Sequence, residues 1–333
     1  MRRVFLAVIL CAIALRVAHS QRLNGAGATF PNPLYERWFR EYDVAHPGIE
    51  IHYRAVGSAA GIRQVAAGVI DFGATDAPMT DYQLASSRTQ LIHIPALMGA
   101  VVPIFNLPAI TTIRFTGEVL ADIYLGHITK WNDERIGKDN PDLHLPDRRI
   151  VVVHRAEGSG TSYIFTDYLS KVSRAWADGP GRSTAPEWPT GEGALRNEGV
   201  ARTVRSTEGA IGYVELIYAR QNHLEFGEVR NAAGNWVKAS IEGVDAAAAG
   251  ANQLPNDYRA SITNAAGPNA YPISSFTWLL IPVHEPNAAK AKLLRDLLTW
   301  IVTTGQGEAE SLAYAPLPKG LASRVLETIA SLR

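Results

Sequence analysis

The sequence predicts an α/β fold, and three observations carry that expectation. Extended and helical patterns alternate along the chain, as layered α/β proteins require. Two long apolar runs, Ile94 to Ile110 and Ile273 to Val283, carry almost no charge. The last 50 residues carry an amphipathic helix, with Leu293, Leu294, Leu297, Leu298 and Ile301 at helical spacing and Gly305 as its stop. In order, Ile49 to Ala55 reads as a strand, Ser58 to Gly68 as a helix with Ile62, Val65 and Ala66 on one face, and Val69 to Ala74 as a second strand, which together make a βαβ unit. The same grammar returns where Ile150 to Val153 leads through a glycine-flanked turn into a helix beginning Tyr163-Ile164-Phe165. Pro95, Pro103, Pro108 and Asn106 interrupt the first apolar run, so it is a buried strand rather than a membrane span. Leu34, Trp38 and Tyr42 follow helical spacing and form a core stripe. No internal repeat is present.

Residues 1–20 are set aside as an export signal. Arg2 and Arg3 precede an apolar run from Val4 to Leu15, and Ala18 and Ser20 flank His19, placing cleavage before Gln21. Cys11, the single cysteine, lies inside this segment after Leu10, which is not the small residue a lipid-attachment site needs. The remaining 313 residues have no cysteine, so they require a sizeable core, enough for about two domains. Losing three arginines and no acid leaves 29 basic against 32 acidic residues, a net charge of −3. That balance disfavours nucleic acid or an anionic membrane as a partner. The histidines show no metal-ligand spacing, and neither a dinucleotide fingerprint nor a P-loop is complete.

Chemistry concentrates in three hydroxyl-bearing turns, Ala28-Thr29-Phe30-Pro31, Gly57-Ser58-Ala59-Ala60-Gly61 and Gly158-Ser159-Gly160-Thr161-Ser162, each running into a helical pattern. Helix starts offer unpaired N–H groups, a partial positive charge and a capping hydroxyl. Three of them, with Asp76 in a fourth turn and Arg155 ahead of the last, point to a site for a tetrahedral oxyanion. Two of the turns follow strands, the position where open α/β sheets bind ligands.

Five ordered motifs then carry a resemblance across nearly the whole mature chain: Gly25-Ala26-Gly27-Ala28-Thr29-Phe30-Pro31, Asp71-Phe72-Gly73-Ala74-Thr75-Asp76-Ala77-Pro78, Ile123-Tyr124-Leu125-Gly126 with Lys130-Trp131, Arg155 to Ser162, and Gly209 to Glu215. The sequence resembles the periplasmic phosphate-binding proteins of the Pst phosphate importer. The resemblance implies a type 2 periplasmic-binding-protein fold, two α/β lobes joined by two crossing strands. The expected division is 21–102 for the first part of lobe I, 103–272 for lobe II and 273–333 for the rest of lobe I. It further implies an exported, periplasmic, monomeric receptor without cofactor or metal, which captures inorganic phosphate and delivers it to transmembrane permease subunits driven by ATP. By the same resemblance Thr29, Phe30 and Ser58 supply hydroxyl and N–H donors from lobe I, Asp76 is the buried carboxylate, and Arg155, Ser159, Gly160 and Thr161 act from lobe II.

Asp76 discriminates between anions. A carboxylate beside an anion is repulsive unless the ligand brings a proton, which phosphate keeps near neutral pH and sulfate does not. Two positions depart from the family pattern. Glu157 stands where relatives carry an aspartate paired with the arginine, so the bidentate geometry is open to change; Ala59 replaces a second serine and removes a hydroxyl but no backbone donor. Other readings are a secreted phosphatase or hydrolase with Ser159 as nucleophile, although Glu157 breaks the G-x-S-x-G pattern and the sequence places no base, and the same fold holding another oxyanion such as arsenate.

Overall fold

A computed structural model describes residues 21–250 and 253–332; the proposed export signal and Cys11 lie outside the described residues. The first half of the chain runs β1 (Gln21–Gly27), α1 (Asn32–Ala45), β2 (Ile49–Ala55), α2 (Ser58–Ala66), β3 (Phe72–Thr75), α3 (Asp81–Ala85) and β4 (Leu91–Phe105). It continues with β5 (Arg114–Phe115), α4 (Gly117–Tyr124), α5 (Glu134–Asp139), β6 (Val151–Arg155), α6 (Gly160–Val172) and α7 (Arg174–Asp178). Then come β7 (Glu192–Ala194), α8 (Arg196–Ser206), β8 (Ala210–Glu215), α9 (Leu216–Gln221), β9 (Glu225–Phe226), β10 (Glu228–Arg230), β11 (Trp236–Val237) and α10 (Ile241–Ala247). The chain ends with β12 (Ser274–Pro282), α11 (Ala288–Val302) and α12 (Lys319–Ala330).

The main sheet has the order β2-β1-β3-β12-β4-β8-β6-β7. β1 pairs in parallel with both β2 and β3, so the expected βαβ unit crosses over β1 rather than joining neighbours. The turns after β1, β2 and β3 thereby open at one edge of the sheet, and α2 covers its face. Gly61 makes that covering close: a Cβ there would meet the Gly27 Cα at 2.6 Å and the Ala26 carbonyl at 2.7 Å. The predicted strand Val69 to Ala74 is shorter than expected. Gly68, at φ +67°, closes α2 with Val69 N–H donating to the Gln64 carbonyl, so residues 67–71 form a turn and the strand begins at Phe72.

The two apolar runs are the two long strands of the sheet. β4 pairs antiparallel with β12 through its first two-thirds and with β8 from Val101 to Phe105, so it belongs to both halves of the molecule. Its predicted end at Ile110 falls short, because Ala109 adopts a positive φ and 106–110 turn away. Pro95 cannot donate to the ladder. The β4–β12 register shifts there, between Thr277 opposite Leu97 and Trp278 opposite Pro95. Such bulges re-aim side chains, and Thr277 is the residue concerned.

β6, α6 and β7 form the second βαβ unit, with β6 parallel to β7 and β8. The Trp38 stripe of α1 is buried as expected, and its indole N–H donates to the Gly305 carbonyl. The amphipathic helix α11 is longer than its apolar stripe and is capped by Asn287. Strand β1, the last helix α12 and the stretch 253–263 were not anticipated, and the last of these ties both halves together. Tyr258 bonds Thr328 of α12, and Trp278 donates to the Tyr258 carbonyl. Ser261 and Thr263 donate to the Asp167 carboxylate of α6.

The Gly61→Ala protein is expected to lose about 1–3 kcal/mol of stability, because the added methyl meets backbone that cannot move aside. Urea denaturation reads this directly. A midpoint equal to that of the parent would show that α2 is not pinned to the sheet by this contact.

Candidate functional site

The three turns meet across the junction of the two halves. Thr29 and Phe30 lie between β1 and α1, Ser58 begins α2, Asp76 follows β3, and Ser159, Gly160 and Thr161 open α6. All are buried. Gly160 makes the tightest approach. A Cβ on it would meet the Asp76 carboxylate at 2.3 Å and the Ser58 hydroxyl at 2.4 Å, so only glycine lets the start of α6 reach the opposite half. The Ala59 N–H donates across the junction to the Gly158 carbonyl at 3.1 Å. The substitution that removed a serine hydroxyl therefore keeps a backbone latch.

Only one of the three hydroxyl turns caps its helix. The Ser159 hydroxyl accepts from the Ser162 N–H as the N-cap of α6. α1 has Pro31 at its N-cap with no side-chain bond, and α2 is preceded by Gly57 at φ +93°, which places Ser58 inside the first turn. The expected capping role of Thr29 and Ser58 is thus corrected, and the physical consequence is that both hydroxyls remain at the junction. The Ser159 N–H is likewise committed, donating to the Thr184 carbonyl at 2.8 Å.

The backbone donors that remain define the site. Among the described residues, the N–H groups of Thr29, Phe30, Ser58, Gly160 and Thr161 have no protein acceptor. Buried N–H groups without a partner are rare in native proteins. Five at one junction therefore mark a place built to receive acceptors. Two of them are held from the carbonyl side of their peptides: Tyr53 donates to the Ala28 carbonyl at 2.7 Å, fixing the Thr29 N–H, and Tyr218 donates to the Thr29 carbonyl at 2.6 Å, fixing the Phe30 N–H, while the Phe30 ring sits over Gly99.

Two charged groups face this cluster. Arg155, with 1% of its side chain exposed, directs Nη1 to the Thr161 hydroxyl at 3.2 Å, while Nε and Nη2 both donate to Oε1 of Glu157. The longer acid thus keeps the pairing but uses one oxygen. Oε1 also accepts from the Arg196 N–H, whereas Oε2 is buried without a partner. The Arg155 main chain is held by the Tyr213 hydroxyl, which in turn bonds Ser162.

Asp76 sits opposite. Its Oδ1 accepts from Thr277 at 2.7 Å and its Oδ2 is 3.4 Å from the Ser58 hydroxyl, which itself accepts from the Asp76 N–H. Burial pushes the carboxyl up to about 7, against the opposing pull of Thr277, Arg155 and Ser58. Its charge is therefore conditional near neutral pH. Arg155 is balanced by Glu157, so the site offers an anion no excess of cations. It offers oriented N–H and O–H dipoles, and a carboxyl able to share one proton with a protonated oxyanion.

Thr277 and Asn197 were missed by sequence reasoning. Thr277 is 201 residues from Asp76 and reaches it through the β4–β12 bulge, which Pro95 alone hinted at. Asn197, the second residue of α8, donates to the Thr29 hydroxyl at 2.9 Å and approaches the Thr161 hydroxyl at 3.4 Å. No local motif announced it. His93, by contrast, is a packing residue as expected; it accepts the Met79 N–H, and burial lowers it to about 4.

Two α/β halves meeting on a buried, donor-rich junction define a two-lobed binding protein. A family profile described as a PBP superfamily domain matches residues 17–304. The chain is 43% identical over 309 residues to the phosphate-binding protein PstS of Xylella fastidiosa strain Temecula1, covering 92% of this chain and 84% of that one. It is 40% identical to PstS of Pasteurella multocida, covering 97% and 94%. Among solved structures, a high-affinity periplasmic phosphate-binding protein bound with phosphate superposes with a TM-score of 0.73 at 22% identity, covering 92% and 93%. An ABC-type phosphate transport receptor from Vibrio cholerae superposes with a TM-score of 0.58 at 19% identity, covering 89% and 100%. The chain belongs to the PBP superfamily and, within it, to the family of PstS phosphate-binding proteins. Its fold is the type 2 periplasmic-binding-protein fold, as expected.

The raised Asp76 carboxyl has a stability signature. The folded protein holds this proton up to about pH 7, while an unfolded aspartate releases it near its ordinary value of 3.8. Stability of the ligand-free protein is therefore fully present below that lower value and falls as pH rises through the folded value, by at most about 1.4 kcal/mol per pH unit from this group. Asp76→Asn should remove that slope between pH 4 and 7 in denaturant titrations, and an unchanged slope would place the group outside the buried site.

Proposed function

We propose that this protein is an exported receptor that captures inorganic phosphate between its lobes and delivers it to the membrane subunits of an ATP-driven importer. The observation that carries the reading is the set of five buried N–H groups without protein acceptors, arranged around Arg155 and facing Asp76. In this reading Thr29, Phe30, Ser58, Gly160 and Thr161 donate from the backbone, Thr29, Ser58, Ser159 and Thr161 donate from hydroxyls, and Arg155, positioned by Glu157, adds the charge-assisted bonds. Each such bond contributes roughly 1.5–3 kcal/mol. Several suffice for micromolar binding, about −8 kcal/mol. Asp76 shares the ligand's proton and rejects sulfate; arsenate, with the same proton and nearly the same shape, is a competing ligand.

The lobes are taken as 21–102 with 273–333, and 103–272, rotating about β4 and β12. The receptor acts as a periplasmic monomer, released from its leader near Ser20/Gln21. It is a binder rather than an enzyme. Ser159 spends its hydroxyl lone pair on the Ser162 N–H, and no histidine or carboxylate bonds that hydroxyl among the described residues, which supports this reading over a nucleophilic serine.

Calorimetric titration of the mature protein with phosphate tests the proposal. Ser58→Ala and Thr161→Ala should each weaken phosphate binding by about tenfold or more, since each removes one donor to a charged ligand from a different lobe, with the fold intact by circular dichroism. Unchanged affinity in both variants would place the site elsewhere.

A further inference from the structure

A hydroxyl is an ambivalent neighbour for an anion. It helps only when its hydrogen points inward, and a lone pair turned inward repels the ligand instead. Thr29 and Thr161 bring such hydroxyls from opposite lobes, and one side chain touches both. The Asn197 amide nitrogen lies 2.9 Å from the Thr29 hydroxyl oxygen and 3.4 Å from that of Thr161. The orientation of this amide is not ambiguous. Its oxygen accepts the Glu215 N–H at 3.1 Å, and because a main-chain N–H can only donate, the oxygen must face Glu215 and the NH2 group must face the threonines. Asn197 is fully buried, so no solvent competes for these contacts.

We infer that Asn197 is a positioning residue that sets the polarity of the anion site, by donating to the Thr29 and Thr161 hydroxyl oxygens so that both hydroxyl hydrogens are directed at the ligand. At Thr161 the effect is reinforced. Its oxygen also accepts from Arg155 Nη1 at 3.2 Å, so both lone pairs are filled and the hydroxyl can act only as a donor. At Thr29 the effect depends on closure, because Asn197 stands on α8 of one lobe and Thr29 on the turn after β1 of the other. The Thr29 hydroxyl oxygen therefore accepts from Asn197 only when the lobes meet, which fills one of its two lone pairs and turns the other lone pair and the hydrogen away from Asn197. The same bond links ligand geometry to the closed form. A carboxylate in place of the amide would reverse the arrangement, accepting from both hydroxyls and turning their lone pairs to the anion.

The inference rests on the phosphate reading, and a double-mutant cycle separates the two. Phosphate affinity is measured by calorimetry for the full mature protein, for Asn197→Ala, for Thr29→Val/Thr161→Val, and for the triple variant. The parent should bind phosphate and Asn197→Ala should bind about tenfold or more weakly. In the double-valine background, with no hydroxyls left to orient, adding Asn197→Ala should cost less than about threefold. A residue that merely braced the fold would produce the same loss in both backgrounds, and that additive result would overturn the role of Asn197 while leaving phosphate binding intact. A parent that does not bind phosphate would overturn both readings. If Asn197→Ala does not fold, Asn197→Ser runs the same cycle with the same two outcomes.

Discussion

The junction between the two halves buries polar N–H groups that the protein itself does not satisfy. Thr29, Phe30, Ser58, Gly160 and Thr161 each present such a group at the lobe junction. An unsatisfied buried donor costs about 1–3 kcal/mol, so closing the lobes on five of them is opposed until something supplies acceptors. A ligand able to accept from all sides removes that cost, and its binding shifts the population toward closure. The cross-lobe bonds from Ala59 to Gly158 and from Asn197 to Thr29 then contribute, because their partners stand on opposite lobes. In the proposed reading, the ligand closes the protein by completing it.

The architecture follows from that constraint. Helix starts deliver N–H groups in one direction, and the parallel order β2-β1-β3 sets the turns after these strands along one sheet edge. The β6-α6-β7 unit does the same from the other lobe. Glycine is required where the lobes touch, since any side chain at Gly160 would occupy the space of Asp76 and Ser58. Tyr53 fixes the Ala28–Thr29 peptide, which carries the Thr29 N–H, from within the same half, and Tyr218 fixes the Thr29–Phe30 peptide, which carries the Phe30 N–H, from across the junction. Charge is used sparingly. Arg155 is neutralised by Glu157, and Asp76, raised to about 7, changes charge where phosphate itself changes protonation.

Much of this was legible in the sequence, for a physical reason. Helix starts are local: a hydroxyl or glycine before an apolar periodic run reports its own geometry, so the three turns, Asp76 and Arg155 could be read as one site. The two uncharged runs likewise announced buried strands. What could not be read is what tertiary structure creates. The strand Gln21–Gly27 inserts between β2 and β3 although nothing in its composition states its place in the sheet. Thr277 meets Asp76 only because a register shift at Pro95 turns it there. Asn197 acts through Glu215 and two threonines drawn from three separate segments. The capping expectation erred at Thr29 and Ser58 because Pro31 and Gly57 took the cap positions, leaving both hydroxyls to bond at the junction, Thr29 with Asn197 and Ser58 with Asp76.

The account rests on Asp76 sharing a proton with its ligand. Thr277 holds one carboxylate oxygen and Ser58 lies beside the other, so replacement by asparagine preserves shape while removing the charge. The ratio of the sulfate to the phosphate dissociation constant, measured by calorimetry at about pH 8.5, where the Asp76 carboxyl is ionised and phosphate still carries one proton, in the parent and in Asp76→Asn, is the most direct measurement. The account predicts that the ratio falls by at least about tenfold, a change of ~1.4 kcal/mol in selectivity, because the amide can donate to a fully ionised oxygen and no longer repels it. A ratio equal to that of the parent would contradict it and leave Asp76 as a turn residue with no part in choosing the anion.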